Sequence, residues 1–270
     1  MPLKPAACSN LLVLGGADRS VRIWKFSKLA GSRTLEHHAT LCGHDGKILC
    51  LDFCSAYSIV VSGSADRTAM VWDSRGAKLL RVLGGHCGSV LSVSVNAISG
   101  HIATLTSGEL RLYSINGDLL SCVSLQSDKQ SRPKARVVMC PPSGDWQDGI
   151  VAVTGHEGGY VYLWKLKVSI TDGDDGHRRV VRELMSYSLT KVHRADITVL
   201  RLCPAVAIKA APIISRVYNG ECMYELLVGD AEGVASRWAP GRLDQLSPSE
   251  LQQTLNHPNT SPSRFGGSSP

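Results

Sequence analysis

Apolar residues along this chain gather in short runs of strand length, punctuated by Gly-His, Ser-Gly-Ser and Asp turns. The stretch from Gly43 to Asp73, GHDGKILCLDFCSAYSIVVSGSADRTAMVWD, shows the pattern in full. A Gly-His turn opens it, and an apolar run follows over 47–53. A second run, 59–62, leads into Ser-Gly-Ser, and an Asp turn joins it to a third, 68–73, that closes on Trp-Asp. A fourth run, 79–83, leads to Gly85-His86, where the pattern begins again.

Other segments read as imperfect copies of that unit. LLVLGGADRSVRIW (11–24) places Asp18 six residues before Trp24, as Asp66 stands before Trp72, and predicts a hairpin forming the second half of a unit. The polar stretch 28–38 reads as a linker. Runs at 89–96, 101–106, 110–114 and 119–125 make a third unit, with Tyr113 in place of Trp and Ser107 at the hairpin. After the polar loop SDKQSRPKAR, runs at 137–140, 150–154 and 160–166 make a fourth, ending on Trp164, with Glu157 and Gly158 at its turn. There ITDGDDGHRR reads as an exposed insertion and 180–189 as the last strand. A fifth unit opens at His193, carries runs at 197–203, 226–229 and 234–238 around an insertion at 204–222, and places Glu232 six residues before Trp238. Residues 1–10 form an N-terminal segment, and 11–238 the repeat region. Residues 239–270, rich in Pro and Ser with little apolar periodicity, are expected to be a disordered tail.

Closing aromatics at Trp24, Trp72, Tyr113, Trp164 and Trp238, with four short strands between successive ones, predict an all-β propeller. About five four-stranded blades are recognisable, the first incomplete, so the expected architecture is an open or partial propeller. One four-stranded sheet cannot bury both of its faces, so blades must stack on one another.

These motifs resemble the WD-repeat family. In that family a buried network links the His of the turn, a Ser or Thr of the second strand, the Asp of the hairpin and the Trp of the third strand. The resemblance implies that network for His44, Ser62, Asp66 and Trp72. Weaker equivalents are Asp18 and Trp24, then His86 with Thr104, then Thr154 and Trp164, then His193, Glu232 and Trp238. His, Ser and Asp are also the residue types of a hydrolase triad. A nucleophilic Ser, however, needs exposure and an oxyanion hole. Ser62 lies mid-strand in SIVVSGS without the strand-to-helix elbow, so the reading is structural and no catalytic residue is assigned.

A narrower likeness covers residues 41–167. IVVSGSADRTAMVWD, NAISGHIATLTSGELRLYSINGDLL and DWQDGIVAVTGHEGGYVYLW resemble the C-terminal WD-repeat region of BEACH-domain proteins. That group includes neurobeachin, the lysosomal trafficking regulator and, nearest here, the autophagy-linked FYVE-domain protein. The resemblance implies a non-enzymatic scaffold in vesicle traffic, lysosomal transport or selective autophagy. It also implies other proteins as partners, and a cytoplasmic location that is peripheral on endosomal, lysosomal or autophagic membranes. No BEACH domain or FYVE zinc pattern precedes the repeats in this sequence. With five units against the seven that commonly close such propellers, the chain is expected to be a piece of a larger product or a short arc.

Composition narrows the alternatives. A net charge of +6 with Lys and Arg spread in ones and twos does not predict nucleic-acid binding. The cysteines form no C-x-x-C pair, and Cys50, Cys122, Cys140 and Cys203 sit in apolar runs. They read as small buried hydrophobes of a reducing compartment, with no metal site. The acidic run at 172–175 does not fit a calcium loop, because Gly176 falls at a ligand position. No cofactor is expected. No run approaches the ~20 apolar residues of a membrane span, and residues 1–10 lack a secretory h-region. Loops on one face of the disc nominate Arg19, Lys47, Arg67, Glu157 and Arg194 as partner contacts. The competing readings are a membrane-surface module whose basic loops bind anionic phospholipid, and a generic WD-repeat adaptor of another complex.

Overall fold

A computed structural model of the chain describes residues 11–29, 32–125, 135–139, 150–172, 178–204 and 224–238. Among them there is no α-helix; five antiparallel sheets follow one another along the chain. The first is three-stranded: β1 (Leu11–Gly15), β2 (Val21–Leu29) and β3 (Ser32–Leu41). The second holds β4 (Ile48–Cys54), β5 (Ile59–Ser64), β6 (Ala69–Asp73) and β7 (Lys78–Leu83) in sequence order. The third holds β8 (Ser92–Val95), β9 (Ile102–Leu105), β10 (Glu109–Tyr113) and β11 (Leu119–Ser124). The fourth holds β12 (Ala135–Met139), β13 (Ile150–His156), β14 (Tyr160–Asp172) and β15 (Arg178–Lys191), with a 3-10 turn at Glu157–Gly159. The fifth holds β16 (Ile197–Pro204), β17 (Tyr224–Asp230) and β18 (Ala235–Trp238).

The middle strands explain the sequence pattern. β5 is buried at every position and β9 likewise, so both faces are covered and the strands read as continuous apolar runs instead of alternating ones. Each face packs on a different neighbour. Val21, Ile23 and Leu41 of the first sheet meet Val60, Met70 and Trp72 of the second. Ile59, Val61 and Val71 on the opposite side of the second meet Val93, Ile102 and Tyr113 of the third. Leu105, Leu110 and Leu112 meet Ala152, Tyr162 and Trp164, and Val153, Val161 and Leu163 meet Ile197, Leu200 and Leu226. Four clusters therefore make four blade junctions. Among the described residues no contact of comparable extent joins the first blade to the fifth, so the blades form an arc.

Backbone hydrogen bonds lock the junctions at one end of the blades. Ile48 N–H donates to the Gly16 carbonyl at 3.1 Å, Val90 to Ser64 at 3.0 Å, and Val192 to Gly159 at 2.9 Å. The segments leading into the second, third and fifth blades are thus tied to the hairpin of the blade behind.

Several expectations change. Residues 28–38, expected to be a linker, lie largely within the β2–β3 hairpin. Thr34, Leu35, Glu36, His37 and His38 are exposed there, so the ribbon writes no buried apolar face into the sequence. Beside the exposed Phe26–Leu35 pair, the Ser27 hydroxyl lies 2.6 Å from Thr34 Oγ1 and donates to Glu36 at 2.7 Å. The insertion expected at 170–179 is in part strand: β14 runs to Asp172 and β15 starts at Arg178. Residues 173–177, the insertion over 205–223, the N-terminal segment 1–10 and the tail 239–270 lie outside the described residues. Cys122, expected in the core, is exposed on β11, whereas Cys54 is buried. The first blade's β1 aligns with β5, a second strand, because Leu12 pairs Trp24 as Val60 pairs Trp72.

Gly159 sets the joint between the fourth and fifth blades. It has φ +82°, and a Cβ there would lie 1.8 Å from the His193 carbonyl oxygen, to whose residue Gly159 is hydrogen-bonded. Gly159→Ala is expected to lower unfolding stability by about 3 kcal/mol or more. Gly84→Ala, which meets nothing within 4 Å, is expected to change it by about 0.5 kcal/mol at most. Urea unfolding of both variants checks the contrast; equal midpoints would remove this joint from the account.

Candidate functional site

Beside the junctions, the second blade places a chain of hydrogen bonds. The Gly-His turn drops the His44 ring behind β5, where it is 5% exposed. Its Nε2 lies 2.8 Å from Ser62 Oγ and its Nδ1 2.8 Å from Asp66 Oδ2. Trp72 Nε1–H donates to Ser62 Oγ at 2.8 Å. Because the indole only donates, Ser62 uses its own proton toward His44 Nε2, and His44 Nδ1–H points to Asp66. Asp66 also receives the N–H of Asp45 at 2.9 Å and, on Oδ1, the N–H and hydroxyl of Thr68 at 2.8 and 2.6 Å. Burial pushes this carboxyl up, but the hydrogen bonds from Thr68, His44 and Asp45 outweigh it and hold the pKa below the usual carboxylate range.

The distances alone would suit a hydrolase triad. Burial decides otherwise: Ser62 is 0% exposed, and its oxygen already accepts the indole proton. The constellation is a brace tying the entry turn to β5 and β6.

The third, fourth and fifth blades rebuild the brace from different residues. In the third, His86 Nε2 lies 2.8 Å from Thr104 Oγ1, and its Nδ1 lies 3.1 Å from the Arg67 carbonyl of the preceding blade. Burial, and then the Arg111 charge, lowers the His86 pKa, so the ring stays neutral with Nδ1–H donating. The β9–β10 hairpin is one residue shorter than β5–β6, as Thr106 N–H donates to Glu109 O where Ser64 N–H donates to Thr68 O. Ser107 therefore has no Asp66 equivalent to be. Glu109 takes the role, accepting the Cys87 N–H at 2.8 Å as Asp66 accepts that of Asp45, and Arg111 balances it at 3.2 Å.

In the fourth blade Trp164 Nε1–H donates to Thr154 Oγ1 at 2.8 Å. The imidazole comes from an unexpected place: His156, two residues along the same strand, lies 2.7 Å from Thr154 Oγ1. In the fifth, His193 Nδ1 lies 3.0 Å from Asp230 Oδ2 and Nε2 lies 2.7 Å from Ser236 Oγ. Glu232, the expected acid, is exposed, and only its backbone N–H reaches Asp230. The sequence alignment failed there because the acid lies at the end of β17, two residues earlier, and the hydroxyl has moved across to β18. Trp238 pairs with Leu226 in β18, and its side chain is outside the described set.

The first blade departs most. Asp18 takes the N–H and hydroxyl of Ser20 and pairs with Arg22, but no imidazole reaches it among the described residues. Leu14 stands at the position of Ser62, and the buried Trp24 Nε1 has no acceptor.

The five contact candidates lie at the end of the blades where these turns gather. Ala65 N–H donates to the Lys47 carbonyl, and Ala231 N–H to that of Asp196, joining hairpin to entry turn in two blades. Arg19, Lys47, Arg67 and Arg194 are exposed, and Glu157 is half-buried in the 3-10 turn. Arg19 and Arg67 share a left-handed φ of 68° in their Ala-Asp-Arg turns, which aims both side chains off equivalent corners. Asp196, unnoticed in the sequence, ties the fourth blade to the fifth by accepting the Gly158 N–H at 2.9 Å.

Residues 35–73 match the family model described as "WD domain, G-beta repeat". The fold is a WD-repeat propeller arc. BEACH domain-containing protein A2 of Arabidopsis thaliana is 30% identical over 211 residues, 72% of this chain and 6% of that protein. WD repeat- and FYVE domain-containing protein 4 of Mus musculus is 28% identical over 61% of this chain and 5% of its own length. The Homo sapiens lysosomal-trafficking regulator is 32% identical over 48% of this chain and 3% of its own. The WD-repeat chain thus resembles BEACH-domain proteins while spanning a small part of their length. Among solved structures, the computationally designed Ika8 protein superposes with a TM-score of 0.54 at 20% identity, covering 86% of this chain and 56% of that one. That likeness concerns the fold alone.

Asp66→Ala is expected to lower stability by about 1–3 kcal/mol at neutral pH. A carboxyl held below its ordinary value contributes fully above about pH 4, and that contribution fades as the pH falls below it. Urea unfolding of wild type and variant between pH 7 and pH 3 should show the gap narrowing. A gap independent of pH would mean that the carboxylate charge is not what the brace uses.

Proposed function

We propose that the arc is the protein-interaction platform of a BEACH-type scaffold acting in vesicle traffic, lysosomal transport or selective autophagy. The observation that carries this reading is the division between a braced interior and a charged turn face. The polar groups able to do chemistry are consumed inside the blades: Ser62, Thr104 and Thr154 are 0% exposed and hydrogen-bonded. The exposed ones include Lys47, Arg67 and Arg194, on turns of the braced blades, and Arg19, on the first blade's Asp18–Ser20 turn. A rigid disc that presents loops suits recognition of other proteins. The names of the relatives support the trafficking setting, and the chain is expected at cytoplasmic faces of endosomal, lysosomal or autophagic membranes, held there by a protein partner.

Flotation of the tagged chain with lysosome-enriched membranes, before and after protease stripping, tests this. Binding is expected to intact membranes and to be lost on stripped ones. Lys47→Glu with Arg67→Glu is expected to weaken it by roughly tenfold, about 1.4 kcal/mol. Undiminished binding to stripped membranes and to protein-free phosphatidylserine vesicles, falling with salt, would overturn the scaffold reading in favour of anionic lipid.

A further inference from the structure

The fourth blade carries an apolar stripe that its neighbour covers only in part. Across β14 and β15 the register puts Trp164, Leu166, Val168 and Ile170 on one face with Leu184, Arg182 and Val180. Trp164 and Leu184 pack with Leu110 and Leu112 of the third blade, and Leu166 lies against them. Beyond that contact the stripe is bare: Val168 is 57% exposed, Ile170 66% and Val180 50%. A two-stranded ribbon with apolar side chains in water is marginal by itself. This one points away from the turn face, because β14 leaves the Glu157–Gly159 turn and ends at Asp172, at the other end of the blade.

The outer edge of the ribbon is open as well. Leu184 N–H donates to Ser121 Oγ of β11 at 2.9 Å, so it points away from β14. Hydrogen-bonded and non-hydrogen-bonded pairs alternate along an antiparallel ladder, and the register is unbroken from Trp164 to Asp172. The backbone N–H and C=O groups of Arg182 and Val180 therefore also point away from β14. Among the described residues no strand pairs with β15 on that side. The outer strands β7 and β11 have six residues each, whereas β15 has 14. Along this edge stand Arg178, Arg179 and Arg182 with Val180 and Val181, against Glu183 alone. Across the ribbon Arg182 faces Val168 and not an acid. Burial, and then the Arg182 charge, lowers the pKa of His101 in the third blade, so the potential beside this edge is positive.

We propose that the edge of β15 over 178–183 takes an extended segment of another protein as an added antiparallel strand, one with two adjacent apolar residues between acids. The main-chain groups of Val180 and Arg182 hold the strand, and the neighbouring side chains select it. Acids match Arg178, Arg179 and Arg182, and apolar residues match Val180 and Val181. Read in the antiparallel direction, the complementary segment is Glu-Val-Val-Glu-Glu. A second copy of the chain does not fit, since pairing this edge with itself brings three arginines against three arginines. A lipid surface does not fit either, because a bilayer leaves the open edge groups without partners. The sequence joining the two strands also carries Asp172, Asp174 and Asp175, which anionic headgroups repel. The edge lies at the opposite end of the blades from Arg19, Lys47, Arg67 and Arg194, so its test is independent of the turn face.

Fluorescence anisotropy of a labelled peptide built on Glu-Val-Val-Glu-Glu, titrated with the 270-residue chain, tests the proposal. Saturable binding is expected. A peptide with lysine in place of each glutamate is expected to bind at least about tenfold more weakly. The same loss is expected with proline at the residue facing Val180, which removes the N–H that the edge needs. Arg182→Glu changes an exposed side chain, and thermal melting by circular dichroism verifies its folding. It is expected to weaken the glutamate peptide roughly tenfold, and lysine at the peptide residue facing position 182 to restore binding. Hydrogen exchange should slow at the Val180 and Arg182 amides when the peptide is bound. No binding, equal binding of the three peptides, or binding that leaves those two amides unprotected would overturn the proposal. Phosphatidylserine vesicles bound through Arg182, with no peptide bound, would overturn it in favour of lipid.

Discussion

A sheet buried on both faces has no water to satisfy polar groups between its strands, and the second to fifth blades of this arc solve that problem at the same place. The solution is an imidazole held between a hydroxyl and an acceptor of fixed partial or full negative charge. In the second, third and fifth blades the ring donates from Nδ1, to Asp66, the Arg67 carbonyl and Asp230, and faces a hydroxyl with Nε2. The tautomer follows from the acceptor, because only a protonated Nδ1 can satisfy a carboxylate or carbonyl. Removing any one group would orphan the others inside a dry interior.

What persists from blade to blade is the position of the charges and not the residues that carry them. The hydroxyl comes from β5, β9 and β13 in three blades and from β18 in the fifth. The imidazole comes from the entry turn in three blades and from the end of β13 in the fourth. An acid reaches the N–H after the turn His from a hairpin at Asp66 and from a strand at Glu109. Opposed strands of an antiparallel sheet bring cross-strand side chains within reach of the same point, so a group can change strands without leaving the site.

That freedom explains which parts were legible in the sequence. The arrangement of blades was readable because burial of both faces forces continuous apolar runs between turns, and the expectation of braces around His44, Thr104 and Thr154 came from the resemblance to WD repeats. The acid of the fifth blade did not, since counting back from Trp238 reaches Glu232, whereas contact depends on register and reaches Asp230. His156 was visible in the same phrase as Thr154, two residues apart on one strand face; nothing in a linear template asks for it. The polar ribbon at 28–38 was missed for the opposite reason. A strand pair in water has no buried face to write into the sequence.

The first blade shows what the brace contributes by lacking it. Trp24 occupies the same register as Trp72, yet Leu14 fills the hydroxyl position and the indole, set edge-on to the His37 ring, has no acceptor for its N–H. Leucine there is unfavourable beside a buried donor and would be favourable beside an apolar neighbour. That N–H is itself shielded from solvent, so the first blade carries the cost of an unpaired donor within its own packing. Equivalent faces elsewhere in the arc obtain both from within: an apolar neighbour from the blade behind and an acceptor from their own second strand. With leucine at the hydroxyl position, the first blade therefore lacks the acceptor that Ser62 and Thr154 give Trp72 and Trp164, and its strands are joined without a brace.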